Sequence, residues 1–163
     1  MNPRGKLESM RIKRTETMFT VIGVPDVPGT AAGILTALAK ADIPILMIVQ
    51  NAPDAGSASV TFTVRREDEE GCHKLLREKA DELGAEGIMR DSAIARLTVE
   101  GQEMEGVVGA AGRFFSFLAE KGINVLAINT TSDTVSCIIE DSKVESALDE
   151  LSREFNLRAD WTP

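Results

Sequence analysis

Hydrophobic and polar positions follow strand and helix spacing in a definite order along the first half of the chain. A short apolar run ends at a Pro-Asp turn, and apolar residues at helical spacing follow it. A nearly continuous apolar run, an alternating run and a second helical pattern come next. The predicted elements are strand 18–24, helix 30–42, strand 43–50, strand 59–64, helix 67–84 and a candidate fourth strand at 87–90.

The same pattern occurs a second time. Residues 96–139 repeat residues 19–64, and an offset of eighty positions superposes Gly29 on Gly109. After the second strand of each copy, an offset of seventy-five positions continues the match. A repeat of this length indicates one supersecondary unit used twice.

Each copy predicts a βαββαβ unit, in which two helices cover one face of an antiparallel four-stranded sheet. The fold class is therefore α+β with two ferredoxin-like units. Too few residues follow the second copy to supply its fourth strand, so we expect residues 10–14 to cross over and fill that edge. A disordered tail is the alternative. The expected division is 1–17 as an N-terminal segment, 18–92 as the first unit, 93–157 as the second unit and 158–163 as a tail.

Composition restricts the classes of partner. The 163 residues carry a net charge of −8 and 4% aromatic residues with no tyrosine, which argues against a nucleic-acid surface. No apolar run reaches the ~20 residues of a membrane helix, and the N-terminus has no apolar signal-peptide core. We therefore expect a cytoplasmic protein that binds neither nucleic acid nor membrane.

The sequence contains no recognisable catalytic or metal-binding pattern. His73, the only histidine, has charged neighbours on a predicted helix and is expected to be solvated. Cys72 and Cys137 lie too far apart for a metal-ligand motif and are expected to be reduced thiols, buried or half-buried. The glycine clusters match no phosphate-binding or dinucleotide-binding fingerprint. We expect no catalytic site, no metal and no cofactor.

The turn 25–29, ahead of the first helix, is the candidate binding feature. It can be a plain strand–turn–helix junction, in which Gly29 allows close backbone approach and Thr30 caps the helix. It can also present the N–H groups of Gly29, Thr30 and Ala31 to a carboxylate. Asp26 beside them would then accept hydrogen bonds from an ammonium group. The second interpretation describes a receptor for a free α-amino acid.

The stretch VPDVPGTAAGILTALAKADI, followed by MIVQN, resembles the paired ACT domains of aspartokinase, and the resemblance extends from about residue 18 to 157. Aspartokinase is the first enzyme of lysine, methionine and threonine synthesis. The resemblance implies the regulatory region of that enzyme, or its separately made small subunit, without the kinase domain. In that family the segment ahead of the first unit supplies the last strand of the second. Two chains pair so that unlike units meet, and threonine or lysine binds in the seam.

Carried over by position, the resemblance implies eight effector-binding residues. Six lie at the first helix and the next strand, and two lie in the second unit of a partner chain: Asp26, Gly29, Thr30, Ala31, Gln50 and Asn51, with Asn124 and Val125 from the partner.

Departures from the family pattern favour a single site per chain. The family's second site uses a His-Pro-Gly turn and an Asn, where this chain has the turn 107–109 (Val-Val-Gly) and Pro44. The family's Ser-Thr-Ser-Glu stretch is also changed, at 129–132. We therefore expect one working site per chain, two per dimer, and favour threonine as effector with lysine second.

The expected function is a non-catalytic amino-acid-binding module that exerts feedback control on aspartokinase, in a homodimer that joins a catalytic chain. Two alternatives stay open at this point. The chain can be a free-standing ACT protein that senses an amino acid for another enzyme or a transcription factor, or a purely structural dimerisation subunit. A stand-alone enzyme is the least expected class.

Overall fold

The computed structural model describes residues 7–54, 56–101, 110–155 and 159–162. Its elements, in chain order, are β1 (Leu7–Lys13), β2 (Glu16–Pro25), α1 (Thr30–Lys40), β3 (Met47–Asp54), β4 (Ser57–Arg65), α2 (Glu69–Leu83), β5 (Gly87–Asp91), β6 (Ile94–Gly101), α3 (Ala110–Glu120), β7 (Val125–Thr130), β8 (Thr134–Glu140), α4 (Val144–Phe155) and β9 (Ala159–Thr162). Short 3-10 turns at Arg66–Asp68 and Asp141–Lys143 lead into α2 and α4. The α+β class predicted from the repeat is confirmed.

The chain divides into two compact units. The first unit runs from Thr15 to Ser92, and the second combines the residues before Thr15 with those after Ser92. The chain therefore passes between the units twice, at 14–15 and at 92–93. We refer to these two places as the crossings.

The first unit has a four-stranded antiparallel sheet in the order β3-β4-β2-β5. Helix α1 contributes buried Ile34 and Leu38 to the core, and α2 contributes Cys72 and Leu76, at the helical spacing that the sequence showed. The buried core of this unit comprises Phe19, Val21, Val24, Ile34, Leu38, Ile43, Ala58, Val60, Phe62, Val64, Cys72 and Leu76.

The strand predicted at 43–50 begins later than its apolar pattern suggested. Strand β3 starts at Met47, and the preceding residues connect it to α1. Asp42 has a φ of 57°, and the N–H of Ile43 donates to the carbonyl of Leu38 at 3.0 Å, which closes the helix end. Pro44 has no N–H for a strand ladder, so the strand begins after it, and in the connection Ile43 is buried while Pro44 and Leu46 are exposed.

The second unit has five strands in the order β7-β8-β6-β1-β9. Strand β1 runs antiparallel to β6, and its Met10 and Ile12 are fully buried among residues of that unit. The segment ahead of the first unit therefore lies beside β6, at the edge that the crossover hypothesis gave it. The core of this unit comprises Met10, Ile12, Ala95, Leu97, Val99, Phe114, Leu118, Ile123, Val135, Cys137, Ile139, Val144, Ala147, Leu148 and Leu151.

The expectation of a tail at 158–163 needs a correction. Residues Ala159–Thr162 form β9, which pairs in parallel with β1 from Met10 to Lys13. The outer edge of β1 offers N–H and carbonyl groups for pairing, and the four residues of β9 pair with its second half. Strand β9 is too short for its sequence pattern to predict it. With β9 included, the sheet of the second unit has five strands.

Within the described ranges, none of the helices has the length and apolar character needed to cross a membrane.

Candidate ligand-binding site

Gly29 begins helix α1 in a conformation that favours glycine. It is the N-cap residue, with φ 103° and ψ −19°, and no side chain caps the helix. A Cβ built on Gly29 would meet nothing within 4 Å, so its φ, and not space, calls for glycine. The expectation that Thr30 caps the helix is wrong, because the Thr30 hydroxyl donates to the carbonyl of Pro25 at 2.7 Å. That bond closes the turn on itself.

Three backbone N–H groups at the start of α1 have no acceptor among the described residues. The N–H of Thr30 donates to Val27 at 3.3 Å. The N–H of Gly33 donates to Gly29 at 2.8 Å, as the first regular helical bond. The three remaining donors are those of Gly29, Ala31 and Ala32. Of the three N–H groups that the sequence predicted to be open, those of Gly29 and Ala31 are open and that of Thr30 is not. The N–H of Ala32, which was not predicted, is also open.

Asp26 precedes Gly29 by three positions in the same turn and is exposed. Its backbone N–H donates to the carbonyl of Gly56 at 3.1 Å, which fixes the turn to the hairpin between β3 and β4. Its carboxylate makes no hydrogen bond or ion pair with the residues that the structure describes. An exposed carboxylate thus lies close in sequence to open N–H donors, a charge arrangement that suits a zwitterion.

Gln50 and Asn51 lie on β3, at an edge of the sheet, and both are exposed. Asn51 pairs with Ser59, two positions along β4 from Ser57, which pairs with Pro25. The predicted strand residues and the turn are therefore at the same end of one sheet. All six residues predicted for this part of the site belong to the first unit: Asp26, Gly29, Thr30, Ala31, Gln50 and Asn51.

The other two predicted residues belong to the second unit. Asn124 is exposed immediately before β7, and Val125 begins that strand opposite Ile139, half-buried. Strand β7 is the edge of its sheet, as β3 is in the first unit.

The structure describes some of the positions at which this chain departs from the family's second site. The turn 107–109 lies outside the described residues. Pro44 is exposed and has no side-chain amide. In the altered stretch, the Thr131 hydroxyl accepts from the N–H groups of Asp133 and Thr134 at 3.3 and 3.0 Å. Thr131 therefore builds the turn between β7 and β8.

A cleft that sequence reasoning did not anticipate adjoins the turn. Its volume is about 700 Å³, and it lies between the exposed side of α1 and the C-terminal end of α2. Small residues of α1, including Gly33 and Thr36, form one wall, and Lys79 and Glu82, paired at 2.7 Å, form the other. The spacing of small residues along α1 was the available signal, but such spacing also occurs on ordinary exposed helices.

Among the side chains that the structure describes, none has the features of an activated nucleophile. Cys72 and Cys137 are buried free thiols, and desolvation raises the pKa of each to about 12, with the Asp68 charge as a lesser cause at Cys72. His73 is half-buried with its ring 6.3 Å from that of Phe19, so the expectation of a solvated histidine is wrong. Among the described residues no cluster of His, Cys, Asp or Glu could hold a metal ion.

Comparison with known proteins identifies the family. The family model described as "ACT domain" matches residues 19–79 and 97–155, one match in each unit. The chain belongs to the ACT domain family. The two matches fall on the two copies of the repeat, so the ACT fold predicted for each copy is confirmed.

The relatives of this ACT protein are aspartokinases. It is 35% identical over 153 residues to an aspartate kinase of Pseudomonas fluorescens, covering 94% of this chain and 37% of that protein. It is 34% identical over 149 residues to an aspartokinase of Mycolicibacterium smegmatis, covering 90% of this chain and 35% of that one. The chain thus spans little more than a third of the curated relatives it matches.

Two solved structures match this ACT protein along almost their whole length. A chain from the aspartokinase alpha and beta subunits has a TM-score of 0.86 and 36% identity, covering 93% of this chain and 99% of that one. The regulatory subunit of aspartate kinase from Thermus thermophilus has a TM-score of 0.84 and 25% identity, covering 90% and 97%. Together with the tandem ACT units, these matches confirm a regulatory module of the aspartokinase family.

Proposed function

We propose that this ACT protein binds a free amino acid at the start of α1 and thereby controls the activity of an aspartokinase catalytic chain. The observation that carries the proposal is the set of open N–H donors at Gly29, Ala31 and Ala32, with the exposed Asp26 in the turn just before them. The donors suit the α-carboxylate of an amino acid, and Asp26 suits its ammonium group.

The site is completed by groups that distinguish one side chain from another. Gln50 and Asn51 offer amide donors and acceptors at the same sheet end. We propose that two chains form a homodimer in which the second unit of the partner adds Asn124 and Val125. Both β3 and β7 are sheet edges, and edge strands are the surfaces through which sheets associate.

Threonine is the favoured effector and lysine the second. Amides at Gln50 and Asn51 can hydrogen-bond a hydroxyl, whereas a lysine side chain would call for an additional carboxylate. We also propose one working site per chain, two per dimer. The exposed Pro44 supports this because it cannot supply the amide that the family's second site uses.

The proposed control is allosteric feedback on the aspartate-family pathway to lysine, threonine and methionine. It would take place in the cytoplasm, where free amino acids accumulate. Ligand binding would favour one arrangement of paired units, and a coupling free energy of about 1–3 kcal/mol would change the affinity for the catalytic partner by roughly 5–150-fold. The alpha and beta subunits in a matched structure support a catalytic partner for this chain.

Thermal melting of the purified chain with each of the twenty amino acids, at millimolar concentration, tests the proposal. A ligand at one hundred times its Kd stabilises the folded state by about 2.7 kcal/mol, which raises the melting temperature by several degrees. We expect threonine to give the largest shift, and Asp26→Ala to reduce it. Glu78→Ala, on the exposed side of α2, is the matched control and should retain the shift.

The same experiment separates the alternatives. If no amino acid shifts the melting temperature, the chain is a structural dimerisation subunit and the turn is a plain junction. If an amino acid shifts it but the chain neither binds an aspartokinase catalytic chain nor alters its activity, the chain is a sensor for another partner.

A further inference from the structure

One side chain in the first unit contacts both crossings. The backbone N–H of Arg66 donates to the carbonyl of Thr15 at 2.8 Å, and its guanidinium donates to the carbonyl of Glu16 at 3.2 Å. The same guanidinium donates to the carbonyl of Ser92. Arg66 therefore holds three backbone carbonyls, two where the chain enters the first unit and one where it leaves.

The neighbouring arginine shows that this arrangement is specific to one position. Arg65 forms ion pairs with Glu67 and Asp68, at 2.8 and 2.7 Å, and these partners lie within its own turn. Both arginines are exposed residues of one short segment, yet only Arg66 donates to the crossing carbonyls among the described contacts. The fork of guanidinium donors allows this because it can serve two carbonyls at once.

The bonds of Arg66 lie at the opposite end of the sheet from the candidate ligand turn. Strand β2 runs from Glu16 to Pro25, and β4 runs antiparallel to it from Ser57 to Arg65. At the turn end, the N–H of Asp26 donates to Gly56. The β2–β4 strand pair therefore has hydrogen bonds at both ends: the Asp26–Gly56 bond at the turn, and the bonds of Arg66 at the crossings.

We infer that Arg66 acts as a clip: its hydrogen bonds hold both crossings to the β2–β4 strand pair. Local unfolding of one crossing is therefore coupled to local unfolding of the other. The clip couples the only two covalent connections of the first unit to the strands that carry the ligand turn. Arg66→Ala would remove the two guanidinium bonds, to Glu16 and Ser92, whereas the backbone bond from residue 66 to Thr15 would remain. This inference concerns the ligand-free chain and does not rest on the proposed function.

Native-state amide hydrogen exchange of the full chain, read by mass spectrometry, tests the clip. We expect Arg66→Ala to speed exchange by roughly three- to tenfold in peptides covering both 14–18 and 90–94. Exchange in the core peptide 58–64 should stay unchanged. Arg65→Ala is the matched control, since it removes two ion pairs from the same turn but no bond to a crossing. Arg66→Lys should give a smaller acceleration, because an ammonium group lacks the guanidinium fork.

Three outcomes would overturn the inference. Exchange in Arg66→Ala could equal that of Arg65→Ala at both crossings, or one crossing could respond without the other. Alternatively, the core peptide could accelerate as much as the crossings, which would make Arg66 a global stabiliser of the unit. If Arg66→Ala does not fold, the same comparison between Arg66→Lys and Arg65→Lys decides, because both variants keep the charge.

Discussion

Arg66 and Asp141 occupy the same place in the two units although they carry opposite charges. Each begins the 3-10 turn that leads from a strand into the second helix of its unit. Each donates its backbone N–H to a carbonyl next to a crossing, Arg66 to Thr15 at 2.8 Å and Asp141 to Ala93 at 2.9 Å. The repeat has kept the backbone bond while the side chains have diverged. Asp141 forms an ion pair with Arg14 at 2.7 Å, on the second unit's side of a crossing.

The crossover of β1 gives a prediction about stability. Ile12 is fully buried in the core of the second unit, so Ile12→Ala should lower the free energy of unfolding by about 2–5 kcal/mol. Lys13→Ala on the same strand is the control and should change it by less than about 1 kcal/mol. Urea denaturation measures both. A small effect of Ile12→Ala would mean that β1 does not contribute to the core.

Substituting alanine at two glycines tests whether backbone conformation or the space around a Cβ decides the effect on stability. Gly29→Ala should cost about 1–2 kcal/mol, because alanine is strained at a φ of 103° although the space is open. Gly112→Ala should instead stabilise the protein by about 0.5–1 kcal/mol, because Gly112 lies within α3 and a Cβ there also meets nothing within 4 Å. Chemical denaturation of the two variants, side by side, checks the contrast. Equal effects would contradict the assigned backbone conformation.

The Thr30 hydroxyl gives a prediction about the shape of the turn. Thr30→Val removes the bond to the Pro25 carbonyl and should cost about 0.5–1.5 kcal/mol of stability. Thr30→Ser keeps the hydroxyl and should retain most of that bond. Thermal melting of both variants measures the difference, and a valine variant as stable as the serine one would show that the bond contributes nothing.

Both cysteines should be unreactive in the folded protein. Burial raises the pKa of Cys72 and Cys137 to about 12, so at pH 8 almost no thiolate is available to a disulfide reagent. Because the pKa of each thiol is raised above its unfolded value near 9, the stabilising effect is complete below pH 9 and is lost as the pH rises toward 12. A chromogenic thiol assay should detect both thiols only after denaturation. Rapid reaction of either thiol in the native protein would contradict its burial.

Much of the fold could be predicted from the sequence because its periodicities are strong. Buried helix residues such as Ile34 and Leu38 appear at helical spacing. Because the unit is repeated, the same order of elements could be read from two stretches of sequence. Strand β9 could not be predicted, since four residues show no period and their pairing depends on the open edge of β1. The start of β3 was misplaced because burial of the connection at Ile43 resembles burial of a strand.

The backbone of the candidate turn could be predicted only in part. The Pro-Asp-Val-Pro-Gly turn indicated a helix start with open N–H groups, and Gly29 and Ala31 have them. The sequence could not show that the N–H of Thr30 is used by Val27, nor that the Thr30 hydroxyl turns back to Pro25. These bonds depend on the backbone angles of the turn, which several residues set together.

Isothermal titration of threonine into the wild-type chain and into Asp26→Asn tests the central claim most directly. The account predicts about one binding site per chain in the wild type. It also predicts an affinity at least roughly fivefold weaker in Asp26→Asn, because the variant loses the charge that meets the ammonium group. Equal affinities in the two proteins, or no binding of threonine or any other amino acid to the wild type, would contradict it.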